Sequence, residues 1–434
     1  IFNGKWYVEL TPLKGLSVTG SVGYSLDQTR YHDFGNQYYG QSAAYSGTAA
    51  QESSRNMGLN LQALANYKTS FNNVHNIDIL AGYESYEYTE EYVSANGQGV
   101  YQDGNWAVNN TLLAARRGYG AYGEYATRGI IGRVNYNYDT KYYGSVSYRR
   151  DASSRFHPDK RWGDFFSVSA AWDAAKESFI KDNATWVDML KIKASFGQQG
   201  NDNLGNGYAY IDQYTIGGTD SWSDGTLAYK GNPELTWEKS NAFNVGADFS
   251  LWQGKLAGTV EYFSRQTSDM LYNQPTSPSL GYSSIPVNIG SMRNYGVEIE
   301  LNYQPITTRN ITWDINFNAT FINNKIIELA PDLKGEFISG STIWREGESR
   351  YQFYLVQYAG VDPTTGEALY WARTPEQQMN EETGQMENVK DENGKTVYKP
   401  GRYATTDYDA AYNTNRQATG DILPTVYGGI GTTL

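Results

Sequence analysis

Residues 311–321 read Ile-Thr-Trp-Asp-Ile-Asn-Phe-Asn-Ala-Thr-Phe. Every odd position is apolar (Ile311, Trp313, Ile315, Phe317, Ala319, Phe321) and every even one polar (Thr312, Asp314, Asn316, Asn318, Thr320). A strand sends successive side chains to opposite faces, so this segment has one greasy and one wet face. Its span is about the nine to eleven residues that a tilted strand needs to cross a bilayer. The pattern recurs along the chain. Ile130, Val134, Tyr136 and Tyr138 oppose Arg133, Asn135 and Asn137; Phe243, Val245, Ala247 and Phe249 oppose Asn244, Asp248 and Ser250; Val297, Ile299, Leu301 and Tyr303 oppose Glu298, Glu300 and Asn302. Roughly a dozen such strands are expected, with no helix beyond two turns.

The connections expected between strands come in two sizes. Residues 251–255, 139–141 and 303–310 read as tight turns. Residues 27–55, 89–127, 198–236, 266–294 and 370–420 read as long polar loops. Short turns on one side and long loops on the other is the asymmetry of a bacterial outer-membrane barrel. Loops of that length inside a compact domain usually carry function.

Composition narrows the reading. The 434 residues hold 38 tyrosines and 11 tryptophans, side chains at home where an apolar body meets a wet edge. A formal net charge of −12 argues against a nucleic-acid partner. Mean hydropathy is −0.62 and no run of 18 or more apolar residues occurs, which excludes a transmembrane helix but not a barrel, half of whose strand residues face water. There is no cysteine and only three histidines, far apart in sequence, so neither disulfides nor a thiolate or histidine metal site is expected. The wet faces carry Arg133, Asp248, Glu261, Glu298, Glu300 and Asp314. Charges there require a wide, wet or polar-filled lumen, hence a large barrel.

Several motifs then resemble one family in its own order. Gly290-Ser291-Met292-Arg293-Asn294-Tyr295-Gly296-Val297-Glu298-Ile299 resembles the G-x-M-x-N-x-G-V-E-I signature of SusC/RagA-type TonB-dependent transporters. Arg150-Asp151-Ala152-Ser153-Ser154-Arg155-Phe156 is similar to their R-D-G-S-S-R-F, with Ala152 for Gly. Ala194-Ser195-Phe196-Gly197 with Gly200-Asn201-Asp202, Gly231-Asn232-Pro233-Glu234-Leu235-Thr236-Trp237-Glu238, and Gly360-Val361-Asp362-Pro363-Thr364-Thr365-Gly366 resemble three more, and Gly420-Asp421 with Pro424 resembles the G-D-x-x-P segment.

The resemblance implies an all-β fold, a large antiparallel transmembrane β-barrel of about 22 strands around an N-terminal plug, of which this chain carries roughly a dozen or more. It implies that residues 1–434 are part of one barrel domain of a longer polypeptide, with the plug and the last strands outside the chain. It also implies a bacterial outer-membrane location, a SusD-like surface lipoprotein partner, energy from TonB with ExbB and ExbD through the plug, outer-membrane lipid around the wall, and a glycan or peptide as cargo. Glycan is the first choice. A peptide importer of the same family, a passive porin and a soluble carbohydrate-binding β protein are the alternatives.

For the motif residues a structural role is expected. Asp151 should pair with Arg150 or Arg155 and cap a turn after the strand ending at Arg149. Gly200 and Asn201 belong to the strand-end motif, and Asn232-Pro233 should start a turn. Trp237 should anchor at an interface. Asn294 and Gly296 should permit unusual backbone angles while Glu298 faces inward. Asp362-Pro363 reads as a turn without calcium-loop spacing, and the acidic residues 380–393 as a solvated loop. Trp106, Tyr119, Tyr122, Tyr208, Tyr210 and Trp222 are the candidate substrate contacts, because sugars stack flat apolar faces on rings. No nucleophile elbow, H-E-x-x-H or P-loop occurs, so neither an enzyme nor a cofactor is expected.

Overall fold

The computed structural model describes residues 1–219, 222–333, 335–379, 384–392 and 394–434. Thirteen strands form its main sheet: β1 (Phe2–Leu13), β2 (Leu16–Gly35), β3 (Thr48–Phe71), β4 (His75–Gln98), β5 (Arg117–Tyr138), β6 (Tyr142–Ser153), β7 (Trp162–Asp173), β8 (Val187–Asn201), β9 (Glu238–Leu251), β10 (Leu256–Ser268), β11 (Ser291–Thr307), β12 (Thr312–Glu328) and β13 (Val426–Thr433). Their order in the sheet is their order in the sequence. From β1 to β10 every ladder is antiparallel. Among the described residues no helix is long and apolar enough to cross a membrane.

One end of the sheet turns tightly. Asn72 and Asn73 join β3 to β4 with left-handed φ of 50° and 59°, and Asp139 and Thr140 do the same between β5 and β6, at 50° and 52°. Short polar side chains tolerate that conformation, and it matches the twist of the flanking strands. The other end carries the long connections, and here the expected boundaries need correction. The strands run further than the alternation suggested. β2 continues to Gly35 and β3 begins at Thr48; β4 continues to Gln98 and β5 begins at Arg117. The extensions are polar on both faces, as in Asp27-Gln28-Thr29-Arg30-Tyr31-His32-Asp33, so no greasy face marks them. The last long connection is residues 329–425, which starts well before residue 370 and carries small sheets of its own.

Chain contacts divide the molecule into two compact units: residues 1–289, 299–316 and 431–434, and residues 290–298 and 317–430. In the second unit, Glu336–Ser339, Thr342–Arg345, Gln352–Val356 and Arg416–Asp421 make a four-stranded sheet, and Tyr358–Val361, Ala368–Ala372 and Tyr403–Thr405 a three-stranded one. The helix Tyr408–Thr414 begins under an Asp407 cap, whose Oδ1 accepts the Ala410 N–H at 2.9 Å. Arg416 lies between the rings of Tyr354 and Tyr412, at 4.7 and 4.0 Å.

The wall of the first unit is legible as rows. One row crosses seven strands as Tyr67, Ile79, Val134, Val146, Val168, Phe196 and Phe243, each directly opposite the next. One residue away runs a second row: Lys68, Asp78, Asn135, Ser145, Ser169, Ser195 and Asn244. In the apolar row Val146 is 57% exposed and Phe243 43%, so no second layer covers them. A continuous bare apolar band of this extent is a face for hydrocarbon rather than water. Two sheets packed on each other, as in a soluble sandwich, would have buried it. The buried core of this unit lies instead at the long-loop end: Phe156, Phe165, Ala209, Leu235 and Trp237.

Candidate functional site

Three of the sequence motifs converge on that core. β6 ends at Ser153 and β7 starts at Trp162; the connection drops Phe156 against Trp237, with ring centroids 5.4 Å apart, and Phe165 meets the same indole edge-on at 5.5 Å. The Trp237 Nε1–H donates to the Arg161 carbonyl at 2.8 Å. Trp237 is 6% exposed, so it is a core residue and not the interfacial anchor expected: its one polar atom finds a backbone acceptor and the rest is enclosed in the cluster with Phe156, Phe165 and Leu235. Gly200 is explained by the same packing. A Cβ there would run into the Phe165 and Trp237 rings.

Beside the apolar core lies a desolvated polar knot. The Asp202 carboxylate accepts from Ser153 Oγ at 2.6 Å, Tyr125 OH at 2.9 Å and Arg155 Nη1 at 3.1 Å. The Arg155 guanidinium also lies 4.3 Å over the Tyr125 ring. Asp151 pairs with neither Arg150 nor Arg155. Its partner is Arg149 at 2.7 Å, which also reaches Glu84 at 2.9 Å. The strand extends to Ser153, so residues two apart share a face and adjacent ones do not. Arg150, on the other face, meets Asp164 at 3.6 Å.

Asn232 and Pro233 make the expected turn. Asn232 Oδ1 accepts the Glu234 N–H at 3.0 Å, and its Nδ2 donates to the Pro286 carbonyl at 2.8 Å. Asn201 Nδ2 donates to Glu238 at 3.1 Å, and the other oxygen of Glu238 accepts the Leu271 N–H at 3.0 Å. Glu234 meets Lys160 at 2.8 Å. That hydrogen bond and the attraction between the two charges hold the Glu234 carboxyl below its usual range and raise Lys160. Asp212 is likewise lowered, by Lys230 and then by the Gly231 N–H.

The remaining motif residues lie in the second unit. Asn294 Oδ1 accepts from Asn324 at 2.6 Å. Neither Asn294 nor Gly296 takes a left-handed backbone: both sit within β11, and the turn falls earlier, at Gly290 with φ 86°. Glu298 is exposed on β11. Asp362 Oδ1 accepts the Thr364 N–H at 2.7 Å, and its carbonyl accepts the Gly366 N–H at 2.8 Å, so Asp362-Pro363 is a closed turn. Of the acidic segment, Asn380, Glu381, Glu382 and Asn393 lie outside the described residues.

The six aromatic candidates are scattered. Trp106 is half-exposed in the 99–116 connection, its ring 4.1 Å from His32. Tyr119 and Tyr122 belong to β5 rather than to a loop, because that strand extends to Arg117. They point to opposite faces: Tyr119 to the wet face, Tyr122 to the face of Ile130 and Val134. Tyr208 is exposed, and Tyr210 meets His157 edge-on at 6.1 Å. Trp222 pairs through its backbone with Thr219, and its side chain lies outside the described residues. Sequence reasoning missed Lys193, which bridges Asp248 at 2.9 Å and Glu261 at 3.2 Å on the wet face. The alternation of Lys191, Lys193 and Ser195 with Ile192, Ala194 and Phe196 was the available signal.

Known proteins share this arrangement. A profile for the family "TonB dependent receptor-like, beta-barrel" matches residues 2–430. TonB-dependent receptor P39 of Formosa agariphila is 32% identical over 298 residues, 68% of this chain and 28% of that protein. TonB-dependent receptor SusC of Bacteroides thetaiotaomicron is 30% identical over 342 residues, 76% of this chain and 32% of its own length. The solved RagAB peptide importer in its closed-closed state superposes with a TM-score of 0.83 at 26% identity, over 99% of this chain and 45% of that one. The chain therefore spans about a third of these curated relatives and under half of that solved chain.

Proposed function

The chain belongs to the TonB-dependent receptor-like β-barrel family, and from that premise we propose that it forms the wall and loops of an outer-membrane importer of an oligomeric nutrient. It is a SusC/RagA-type barrel of the outer membrane. The observation that carries the import reading is the one-residue offset between the rows. Val146 and its row present a face suited to lipid while Ser145 and its row present one suited to water, which supports a wall with a polar path along one side. At the long-loop end the motif core gives those loops a fixed base. Capture by loops and a SusD-like surface lipoprotein, followed by release inward at the expense of TonB with ExbB and ExbD, is the mechanism we propose; no catalytic step is part of it.

Glycan is our first reading of the cargo, since exposed rings such as Trp106 and Tyr119 offer stacking faces. Peptide is the second, favoured by the likeness to the RagAB peptide importer. The test is uptake of labelled neutral oligosaccharides and peptides by cells carrying the complete transporter, with and without TonB. TonB-dependent glycan uptake supports the first reading, and peptide uptake alone the second. Uptake indifferent to TonB would mark a passive pore and overturn both.

A further inference from the structure

We propose that the lipid-facing side of β5 and β6, at the edge nearest the long loops, holds the phosphate of an outer-leaflet glycolipid between Arg128 and Arg150. The proposal rests on the outer-membrane placement above, and it is independent of the cargo. On the face of Val146 the two edges of the apolar band differ. The short-turn edge is a row of rings: Phe71, His75, Tyr138, Tyr142 and Trp172, each directly opposite the next. At the long-loop edge the apolar run gives way to arginine on three strands. Counting only residues of that face, Arg55 comes next after Met57 on β3, Arg128 after Ile130 on β5, and Arg150 after Tyr148 on β6.

Arg128 stands opposite Ala152, and Arg150 opposite Ile130. The two arginines are therefore diagonal neighbours across one ladder, about 7–8 Å apart at their bases. Two guanidinium forks at that spacing can converge on one phosphate. Both side chains are exposed. Arg128 meets Glu87 at 4.0 Å; Arg150 meets Asp164 at 3.6 Å and lies 5.4 Å from the Trp162 ring centroid. Both ion pairs are longer than a hydrogen bond, so N–H donors of each fork are left for a ligand. Below them Ile130, Tyr148, Val146 and Phe166 lie bare on the same face, a bed for acyl chains.

The charge balance selects a lipid over a soluble anion. Glu87 on β4 and Asp164 on β7 flank the two arginines, so this patch of two cations and two carboxylates has no net charge. A free phosphate gains little from such a site. A lipid does not depend on that attraction. Its acyl chains, buried against the apolar band, hold the headgroup at high effective concentration beside the forks. The long-loop end of such a barrel faces outward. The lipid is therefore the glycolipid of the outer leaflet, whose phosphate sits on a sugar just above the acyl chains. The ringed edge, with no arginine in its row, meets the other leaflet.

The test is native mass spectrometry of the complete transporter in detergent, titrated with monophosphoryl lipid A, the same lipid dephosphorylated, phosphatidylglycerol and inorganic phosphate. Monophosphoryl lipid A should bind, and the dephosphorylated lipid about 10-fold more weakly. Arg128→Gln/Arg150→Gln should weaken the phosphorylated lipid about 10-fold or more. Arg128→Lys/Arg150→Lys, which keeps the charges but not the forks, should fall between. Arg133→Gln, on the wet face, should leave binding unchanged. Heat-modifiable migration on gels reports that each variant is folded. The site is overturned by a wild type that binds no lipid A, by equal affinity for the dephosphorylated lipid, or by unchanged affinity in the folded double glutamine variant. Inorganic phosphate or phosphatidylglycerol binding as tightly as lipid A overturns it too, as does a second copy of the barrel that the double glutamine variant releases from this face. TonB-dependent uptake that persists beside any of these leaves the import reading standing; its absence from wild-type cells fells that reading and not the lipid site.

Discussion

Arg155 reaches Asp202 at 3.1 Å across 47 residues of sequence, with both side chains largely withdrawn from water. The pair ties the β6–β7 connection to the end of β8, and Tyr125 and Ser153 complete it. Removing one partner of a desolvated pair leaves the other without compensation. Asp202→Ala should cost about 3–5 kcal/mol. Asp202→Asn, which retains acceptors, should cost less. Thermal unfolding of the complete transporter in detergent, with limited proteolysis of the long loops, measures both; equal stability of Asp202→Ala and wild type would deny the knot its structural role.

The rows make a sharper prediction about location. Val146→Arg places a charge on the hydrocarbon face and should cost about 2–4 kcal/mol near mid-depth, while Ser145→Arg on the wet face should be tolerated. Urea titration of refolding into lipid vesicles compares them. If the two substitutions behave alike, the assignment of faces is wrong.

Trp237 is the keystone of the motif core. Trp237→Ala should cost about 3–5 kcal/mol through the cavity it leaves and the Arg161 carbonyl it strands. Trp237→Phe should retain most of the packing but not the hydrogen bond. The readout is again thermal unfolding, and Trp237→Phe falling level with Trp237→Ala would shift the weight from ring burial to that one hydrogen bond.

Acid should loosen the contact between the 154–161 and 202–237 connections. Glu234 is depressed by Lys160, so its contribution is complete above the ordinary carboxylate pKa and is lost as pH falls through its lowered value. Lys160 is raised, so its share is present below the ordinary lysine pKa and lost only as pH rises through the raised value. The bridge therefore holds at neutral pH and opens in acid. Trypsin cleavage after Lys160 should accelerate at low pH once corrected for the enzyme's own profile, and Glu234→Gln should show the fast rate at neutral pH. A rate in that variant equal to wild type would remove the bridge from the account.

The wall was legible because each side of a membrane strand meets a different solvent, and residues 311–321 carry that difference in plain alternation. Legibility stopped where the strands leave the bilayer. From Asp27 to Asp33 water touches both faces, selection for alternation lapses, and strand reads as loop. The same error hid the Arg149–Asp151 pair, which follows from period two once β6 is carried on to Ser153. The motifs marked the right segments, but not that Arg155 would choose Asp202 or that Trp237 would be enclosed. Those depend on strands brought together from far along the chain, which a local pattern does not encode.

The offset between Val146 and Ser145 also restricts how such a wall can change in length. Deleting or inserting a single residue in mid-strand would turn every side chain beyond it inside out, trading serines for valines against lipid. Only paired additions keep the faces, whereas the connections at the far end can grow or shrink by any number. Diversity in a lineage of these barrels should therefore collect in the loops, with strand lengths changing two residues at a time.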